Sequence, residues 1–457
     1  MTRARDVALN VLVRVEQDRA FAAPALASEL RGVNDPREAA FATELVLGVL
    51  RRRPFLDRLL DSASKRGLKK LDPRTMTILR LGAYQVAFLD NVPARAAVSE
   101  TVSQVRRSRR QGLAGLANAL LRNLAGMPPE SLSPNEDDDG GPLQHAAVHL
   151  GLPAWILERL VLARGREGAF AAARAFNRPS RRTLRVNVNR ATREQVLEKL
   201  GSSGVAGRLS PWSVDVSNPR AADELSRDGL AVHQDEGAQL AALALEPGPE
   251  DRVLDACAGR GGKTSALAMM TGNAAEITAV DRSSSKLERL VFELDRQGFE
   301  VTTMVADLAG KPVDLGGEFS RILLDAPCSG TGTLGRRPEI RWRLEPDAVA
   351  SLVDVQSRLL ESTSRLLAPG GRLVYAVCSV LPEEGTDHAT SFLERHPDFH
   401  LTKTAPTSWP EEMPWAGGAT IDPGGTATDG YQILSLEKGS HWKRGHWKRG
   451  QTRPIDI

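Results

Sequence analysis

Two cysteines stand where they could act as nucleophiles. Asp325-Ala326-Pro327-Cys328-Ser329-Gly330-Thr331-Gly332 follows one apolar run, and Val374-Tyr375-Ala376-Val377-Cys378-Ser379-Val380 closes another. Burial as a small hydrophobe is the commoner fate of a single cysteine, and Cys257, in the wall of a glycine-rich loop, reads that way. For Cys328 and Cys378 the position just after a strand, in a polar loop, favours chemistry. The thiolate is the reactive form, and an ordinary thiol with a pKa of about 8.5 needs a cation nearby to reach it. Lys263 is the natural one, with Arg336, Arg337 and Arg341 as others. Asp325 adds a carboxyl at the end of the strand that leads to Cys328.

A second constellation precedes these. Val253-Leu254-Asp255-Ala256-Cys257 reads as a strand, followed by Ala258-Gly259-Arg260-Gly261-Gly262-Lys263-Thr264 and an apolar helix from Ser265. A glycine-rich turn from strand to helix lets a ligand approach the backbone closely. It is neither common phosphate cradle. Cys257 stands where a Walker A loop needs glycine, and Lys263-Thr264 breaks the dinucleotide spacing. A tight turn alone would explain the glycines, but three strand-end carboxylates follow: Asp281, Asp307 and Asp325. One such aspartate is usually a turn or a helix cap. Three in succession fit an adenosine ligand without phosphates, one accepting from the ribose hydroxyls and another from the adenine amino group. Two cysteines beside such a ligand suggest covalent catalysis on a pyrimidine. Cytosine C5 is too weak a nucleophile to take a methyl group directly. Thiolate attack at C6 makes C5 enamine-like, which splits one hard step into easier ones. Asp325 is placed to stabilise charge developing near N3.

The elements that must position these residues fall into segments. Residues 1–127 read as all-helical, with Val7, Val11 and Val15, and again Met76, Leu79, Ala83 and Val86, at helical spacing. This part carries Arg51-Arg52-Arg53 and the cluster Arg106, Arg107, Arg109 and Arg110, which are solvated helix ends on the plain reading and RNA phosphate contacts on the sharper one. Residues 128–142, with Pro128-Pro129, an acidic run and Gly140-Gly141-Pro142, read as a linker. Residues 143–235 are mixed α+β. From 236 to 437, strand candidates at 252–256, 277–280, 301–305, 321–326, 372–377 and 431–436 alternate with helices. That alternation implies an α/β, Rossmann-like open sheet, mostly parallel, with ligands at the carboxyl ends of its strands. The segment 438–457, with His-Trp-Lys-Arg-Gly at 441–445 and again at 446–450, reads as a disordered basic tail.

Composition sets the outer bounds. With 457 residues, 41% hydrophobic, there is material for two or three domains. A net charge of +3 does not mark a nucleic-acid binder; only local clustering would. The three cysteines form no CxxC pair, so neither a zinc knuckle nor any other metal site nor a disulfide framework is expected. Unpaired cysteines suggest a reducing compartment, and no apolar stretch is long enough to span a bilayer. A cytoplasmic protein without a membrane partner is expected, and a monomer is the plain expectation.

At these motifs the sequence resembles the bacterial ribosomal RNA small subunit methyltransferase B (RsmB/Sun) family, which makes 5-methylcytosine in 16S rRNA. The resemblance runs from about residue 3 to 437. Glu44-Leu45-Val46-Leu47-Gly48-Val49-Leu50-Arg51, Leu79-Arg80-Leu81-Gly82-Ala83-Tyr84-Gln85, Val92-Pro93 and Asn118-Ala119-Leu120-Leu121-Arg122 are similar to a NusB-like, RNA-binding domain. Arg185-Val186-Asn187 matches the segment that in this family helps bind RNA, and His233-Gln234-Asp235 the strand leading into the catalytic domain. The resemblance implies S-adenosylmethionine as cofactor, held by Cys257, Ala258, Gly259, Arg260, Gly261, Gly262, Lys263, Asp281, Asp307 and Asp325. It implies Cys378 as nucleophile, Cys328 as the group that assists release of methylated RNA, and small-subunit rRNA as partner. Two positions depart from the family pattern: Val377 where Thr is usual, and Gly259-Arg260 where the loop usually begins Ala-Pro. The same chemistry on tRNA is the near alternative. A non-catalytic RNA-binding assembly factor is the distant one, opposed by the intact Cys328, Cys378 and Asp325.

Overall fold

The computed structural model describes residues 3–64, 67–133 and 142–440. The acidic run at 136–139 and the repeat at 441–450 lie outside the described residues. The chain forms two compact units, one of residues 1–179 with 333–344, the other of 180–332 with 345–457. The sequence reading groups 143–235 together, whereas the helices Leu143–Leu150 and Ala154–Phe176 belong to the first unit. Local sequence cannot reveal this, because which core a helix joins is decided by long-range packing.

The first unit is helical. Its helices include Arg3–Gln17, Pro36–Ser62, Pro73–Phe88, Ala94–Arg107 and Ala114–Ala125. Asp35 and Asp72 each cap a helix whose first residue is proline, with Asp72 accepting from the Thr75 N–H at 3.1 Å. Val7, Val11, Val15, Leu79 and Ala83 are buried as their spacing predicts, while Met76 and Val86 pack at the edge of the core. Gly48 lets two helices touch. A Cβ there would lie 2.0 Å from the Tyr84 ring, whose hydroxyl donates to Glu44 at 2.6 Å. Gly48→Val is therefore expected to destabilise the protein by about 1–3 kcal/mol, read as a lower urea midpoint. An unchanged midpoint would contradict this packing.

Arg51 and Arg53 do not behave as solvated helix ends or as phosphate contacts. Arg51 is buried and donates to the Gly335 carbonyl at 2.9 Å, and Arg53 pairs with Glu16 at 2.9 Å. Arg341, one of the expected cations for the cysteines, is committed within this unit. Its guanidinium donates to the carbonyls of Gly151 at 2.8 Å and Phe176 at 2.7 Å and to Asn177 Oδ1 at 2.9 Å. These carbonyls close helix ends, where acceptors lack intrahelical partners. Arg106, Arg107, Arg109 and Arg110 are exposed, as phosphate contact requires.

The second unit holds two sheets. A small antiparallel sheet contains β1 (Thr183–Val186), β2 (Gly204–Ala206), β3 (Ser213–Val216) and β4 (Ala231–His233), in the order β2-β3-β1-β4. The large sheet contains β5 (Arg252–Asp255), β6 (Glu276–Asp281), β7 (Thr302–Val305), β8 (Phe319–Asp325), β9 (Leu367–Val377), β10 (Phe399–Leu401), β11 (Gly418–Ile421) and β12 (Tyr431–Lys438). Its order is β10-β12-β9-β8-β5-β6-β7, with β11 on β12. The strands from β7 to β9 run parallel, and β10, β11 and β12 pair antiparallel. Connections leave β5 toward β6 on one side and return to β8 on the other. This reversal opens a crevice at the carboxyl ends of β5 and β8.

Arg185 and Asn187 are buried on and just after β1. Arg185 Nη2 donates to Ser265 Oγ at 2.6 Å, and Asn187 Nδ2 to the carbonyls of Gly229 and Gln297, each at 3.2 Å. These side chains fasten the small sheet to helices of the large one. They do not present an RNA-facing surface, as the family resemblance alone would suggest.

Candidate active site

The turn after β5 is shaped by two glycines. Gly259 has φ +58° and Gly261 has φ +83°, the left-handed region that side chains resist. A Cβ at Gly261 would also lie 2.7 Å from Leu290 Cγ. At Gly259 the nearest atom would be 3.9 Å away, so that face of the loop is open to a ligand. Helix Gly262–Met270 begins at once, with Lys263 in its first turn.

Lys263 is buried, and its Nζ lies 2.7 Å from Asp325 Oδ2 at the end of β8. It also stands 5.4 Å from the centroid of the Tyr431 ring at the start of β12. Burial disfavours its charge, but the hydrogen-bonded Asp325 carboxylate, Cys378 and Asp255 together raise the Lys263 pKa. Asp255 is fully buried beneath the loop and accepts the Thr264 hydroxyl at 2.7 Å. Burial pushes its carboxyl up to about 7. Cys257 packs at the edge of the apolar cluster around Leu254. Burial, and then the carboxylates of Asp255, Asp325 and Asp281, push its thiol up, so it stays protonated.

The strand-end aspartates differ in what they face. Asp281 is nearly buried and accepts the N–H of Gly259 at 3.0 Å and of Ser283 at 2.9 Å, with Lys286 at 3.4 Å. It braces the loop directly. Asp307, beyond β7, is exposed, and Arg260 at the loop tip is exposed as well.

The two cysteines meet. Cys328 Sγ and Cys378 Sγ are 3.3 Å apart, in loops that follow the adjacent parallel strands β8 and β9. Asp325 is in register with Ala376, so these loops start at the same level. Gly332 N–H donates to the Cys378 carbonyl at 3.0 Å, and Gly430 N–H to the Gly332 carbonyl at 2.9 Å. A Cβ at Gly332 would lie 1.9 Å from the Gly430 carbonyl oxygen, so only glycine permits this approach. The hydrogen bond with Cys378, followed by burial, pushes the Cys328 thiol well up.

A polar cluster holds the loops together. Thr331 Oγ1 and Ser379 Oγ are 2.9 Å apart, Val380 N–H donates to Thr331 Oγ1 at 3.1 Å, and Gln432 Nε2 donates to the carbonyls of Ser379 at 3.1 Å and Leu381 at 2.9 Å. Glu384 accepts from Ser329 and Gln356. The reading of the sequence names none of Ser329, Thr331, Ser379, Gln356, Tyr431 or Gln432 as a site residue. Their only signal was adjacency to the cysteines or a place on a strand. Val377 is fully buried in the apolar cluster with Leu324 and Tyr375. Successive residues of a strand point to opposite faces, so a hydroxyl at 377 would enter the core.

A paired thiol set, a lysine-bound carboxylate and an open glycine loop at one strand-end crevice suit group transfer to a ring from a nucleoside-type donor. Residues 242–436 match the description 16S rRNA methyltransferase RsmB/F, residues 2–126 the NusB family, and residues 152–222 the RsmF/B-like ferredoxin-like domain. A probable ribosomal RNA small subunit methyltransferase B of Bacillus subtilis is 31% identical over 96% of this chain and 99% of its own. The chain belongs to the ribosomal RNA small subunit methyltransferase B family. The Vibrio cholerae ribosomal RNA small subunit methyltransferase B is 32% identical, covering 94% of this chain and 96% of its own. A putative methyltransferase of Mycobacterium tuberculosis is 39% identical over 88% of this chain and 89% of its own. Among solved structures, PH0851 superposes with a TM-score of 0.79 at 25% identity, covering 96% of this chain and 99% of its own. A methyltransferase homologue from Pyrococcus horikoshii gives 0.56 at 26% identity, covering 65% and 98%.

This family member is an S-adenosylmethionine-dependent RNA methyltransferase with a NusB-like domain and a Rossmann-like catalytic domain. Its residues fit that cofactor. The backbone at Gly259 is open to close approach, Asp307 is exposed beyond β7, and the loop carries no phosphate-binding pattern.

Proposed function

We propose that this methyltransferase converts a cytosine of 16S rRNA to 5-methylcytosine through a covalent adduct on Cys378. The observation that carries the proposal is the 3.3 Å pair of sulfurs beside the Lys263–Asp325 ion pair. The Cys378 thiolate adds to C6 of the cytosine, and C5 then carries the electron density needed to take a methyl group. The loop 257–263 with Asp281, Asp307 and Asp325 would hold S-adenosylmethionine, which would supply that methyl group. Asp325, in contact with the Lys263 ammonium at 2.7 Å, relays a proton from it toward N3 as negative charge develops there. The C5 proton is lost to solvent, its electron pair re-forms the C5–C6 double bond as the Sγ–C6 bond breaks and its electrons return to Cys378, and Cys328 assists release.

The 16S assignment rests on the family description and on relatives named for the small-subunit rRNA. Bisulfite sequencing of 16S rRNA and tRNA, from cells with and without the gene, tests it. One 16S cytosine is expected to lose protection when the gene is absent. Loss confined to tRNA would move the substrate, and no loss in either RNA would sink the reaction.

A further inference from the structure

Cys328 and Cys378 are both free and half-buried, and their sulfurs lie 3.3 Å apart. A disulfide bond is about 2.05 Å long, so the two sulfurs need to close by only about 1.2 Å to bond. The loops that carry them are already fastened to each other around that contact. Gly332 N–H donates to the Cys378 carbonyl at 3.0 Å, and Thr331 Oγ1 and Ser379 Oγ are 2.9 Å apart. Gln356 Nε2 donates to the Pro327 carbonyl, next to Cys328, at 3.0 Å and to Glu384, beyond Cys378, at 3.1 Å. The backbone of both loops is therefore in place before any bond forms, and a small side-chain shift completes the approach. The same fastening resists full closure, so a bond drawn across it is strained. Strained disulfides are the ones that thiols reopen readily.

We propose that Cys328 and Cys378 form a peroxide-sensitive dithiol switch: oxidation closes a Cys328–Cys378 disulfide that stops methyl transfer, and a dithiol reductant reopens it. A lone pair on one sulfur attacks a peroxide oxygen, the O–O bond breaks, and the departing hydroxide takes the thiol proton and leaves as water. The product is a sulfenic acid. The second sulfur attacks the sulfenic sulfur, the S–O bond breaks, and hydroxide leaves with the second thiol proton as another water. The thiol pair loses two electrons, and one hydrogen peroxide is reduced to two waters.

The neighbouring thiol also protects the first. A sulfenic acid left alone is carried by further peroxide to sulfinic acid, which thiols do not reverse. With a second sulfur 3.3 Å away, it is captured as the disulfide instead. The bond itself rests on the geometry of the two loops. The loss of activity rests on the reading of Cys378 as nucleophile, since a sulfur held in a disulfide has no thiolate to add to C6.

Peroxide titration of the reduced full chain tests this, with iodoacetamide alkylation, non-reducing digestion and mass spectrometry. The peptides carrying Cys328 and Cys378 should become linked, while Cys257 stays alkylated. Residual methyl transfer should track the fraction of unlinked chain, and dithiothreitol should restore both thiols and activity. In Cys328→Ala the same treatment should take Cys378 to sulfinic acid, which dithiothreitol leaves in place. Absence of the linked peptide after peroxide, a bond to Cys257 instead, or a linked enzyme with full activity would overturn the inference. If Cys328→Ala does not fold, the linked peptide and its reversal in the parent decide alone. No linked peptide together with an inactive Cys378→Ala enzyme would remove the switch and leave the nucleophile in place. An active Cys378→Ala enzyme would remove the nucleophile, and the switch with it, whatever the mapping shows.

Discussion

Cys378→Ala is expected to lower kcat for methyl transfer by at least about 10^4-fold, because without an adduct at C6 the cytosine C5 has no carbanion character to offer. The loss should be confined to chemistry. The glycine loop is shaped by Gly259, Gly261 and Asp281, none of which depends on the Cys378 side chain. Affinity for S-adenosylhomocysteine, measured by calorimetry, should therefore stay within a few-fold of the parent. The polar cluster that joins the two loops uses Ser329, Thr331, Ser379 and Glu384, so the fold should survive as well. Substantial turnover in this variant would show that the nucleophile lies elsewhere.

Cys328→Ala should behave differently. It leaves the attacking sulfur in place but removes the thiol 3.3 Å from it. When the Sγ–C6 bond breaks, charge returns to Cys378, and a neighbouring S–H can hydrogen-bond to the departing thiolate. The hydrogen bond with Cys378, and then burial, raise the Cys328 pKa, which favours the protonated form this requires. Without it the adduct should accumulate as a protein–RNA band that resists denaturing electrophoresis, and turnover should fall by about 10^2-fold or more, as for loss of other acid–base groups. Peptide mapping should place the RNA on Cys378. An adduct that forms in Cys378→Ala and maps to Cys328 would exchange the two roles.

Much of this site was legible before any coordinates. The strand-end positions of Asp281 and Asp325 follow from alternating apolar runs, and each closes a strand of the large sheet, whereas Asp307 lies two residues beyond β7. Periodicity missed β10 and β11, which are only three and four residues long and pair at the antiparallel end. It also could not tell which arginines face solvent. Arg341 lies inside the helical unit because carbonyls at helix ends need donors, and Arg51 because it donates to the Gly335 carbonyl in a turn. A run of like charges carries no record of such partners.

The sequence by itself determined the chemistry available to this protein: two thiols after strands, a glycine loop ending in Lys263 and carboxylates at strand ends. Those are properties of residue type and local spacing, which short-range sterics and hydrogen bonding translate directly into strand, turn and helix. Long-range packing alone brings Cys328 and Cys378 to 3.3 Å, carries Lys263 to Asp325, and buries Glu384 against Ser329 and Gln356. The order of strands in the large sheet sets these distances. Segments as far apart in sequence as residues 263 and 325 or 328 and 378 become neighbours only because β5, β8 and β9 lie side by side.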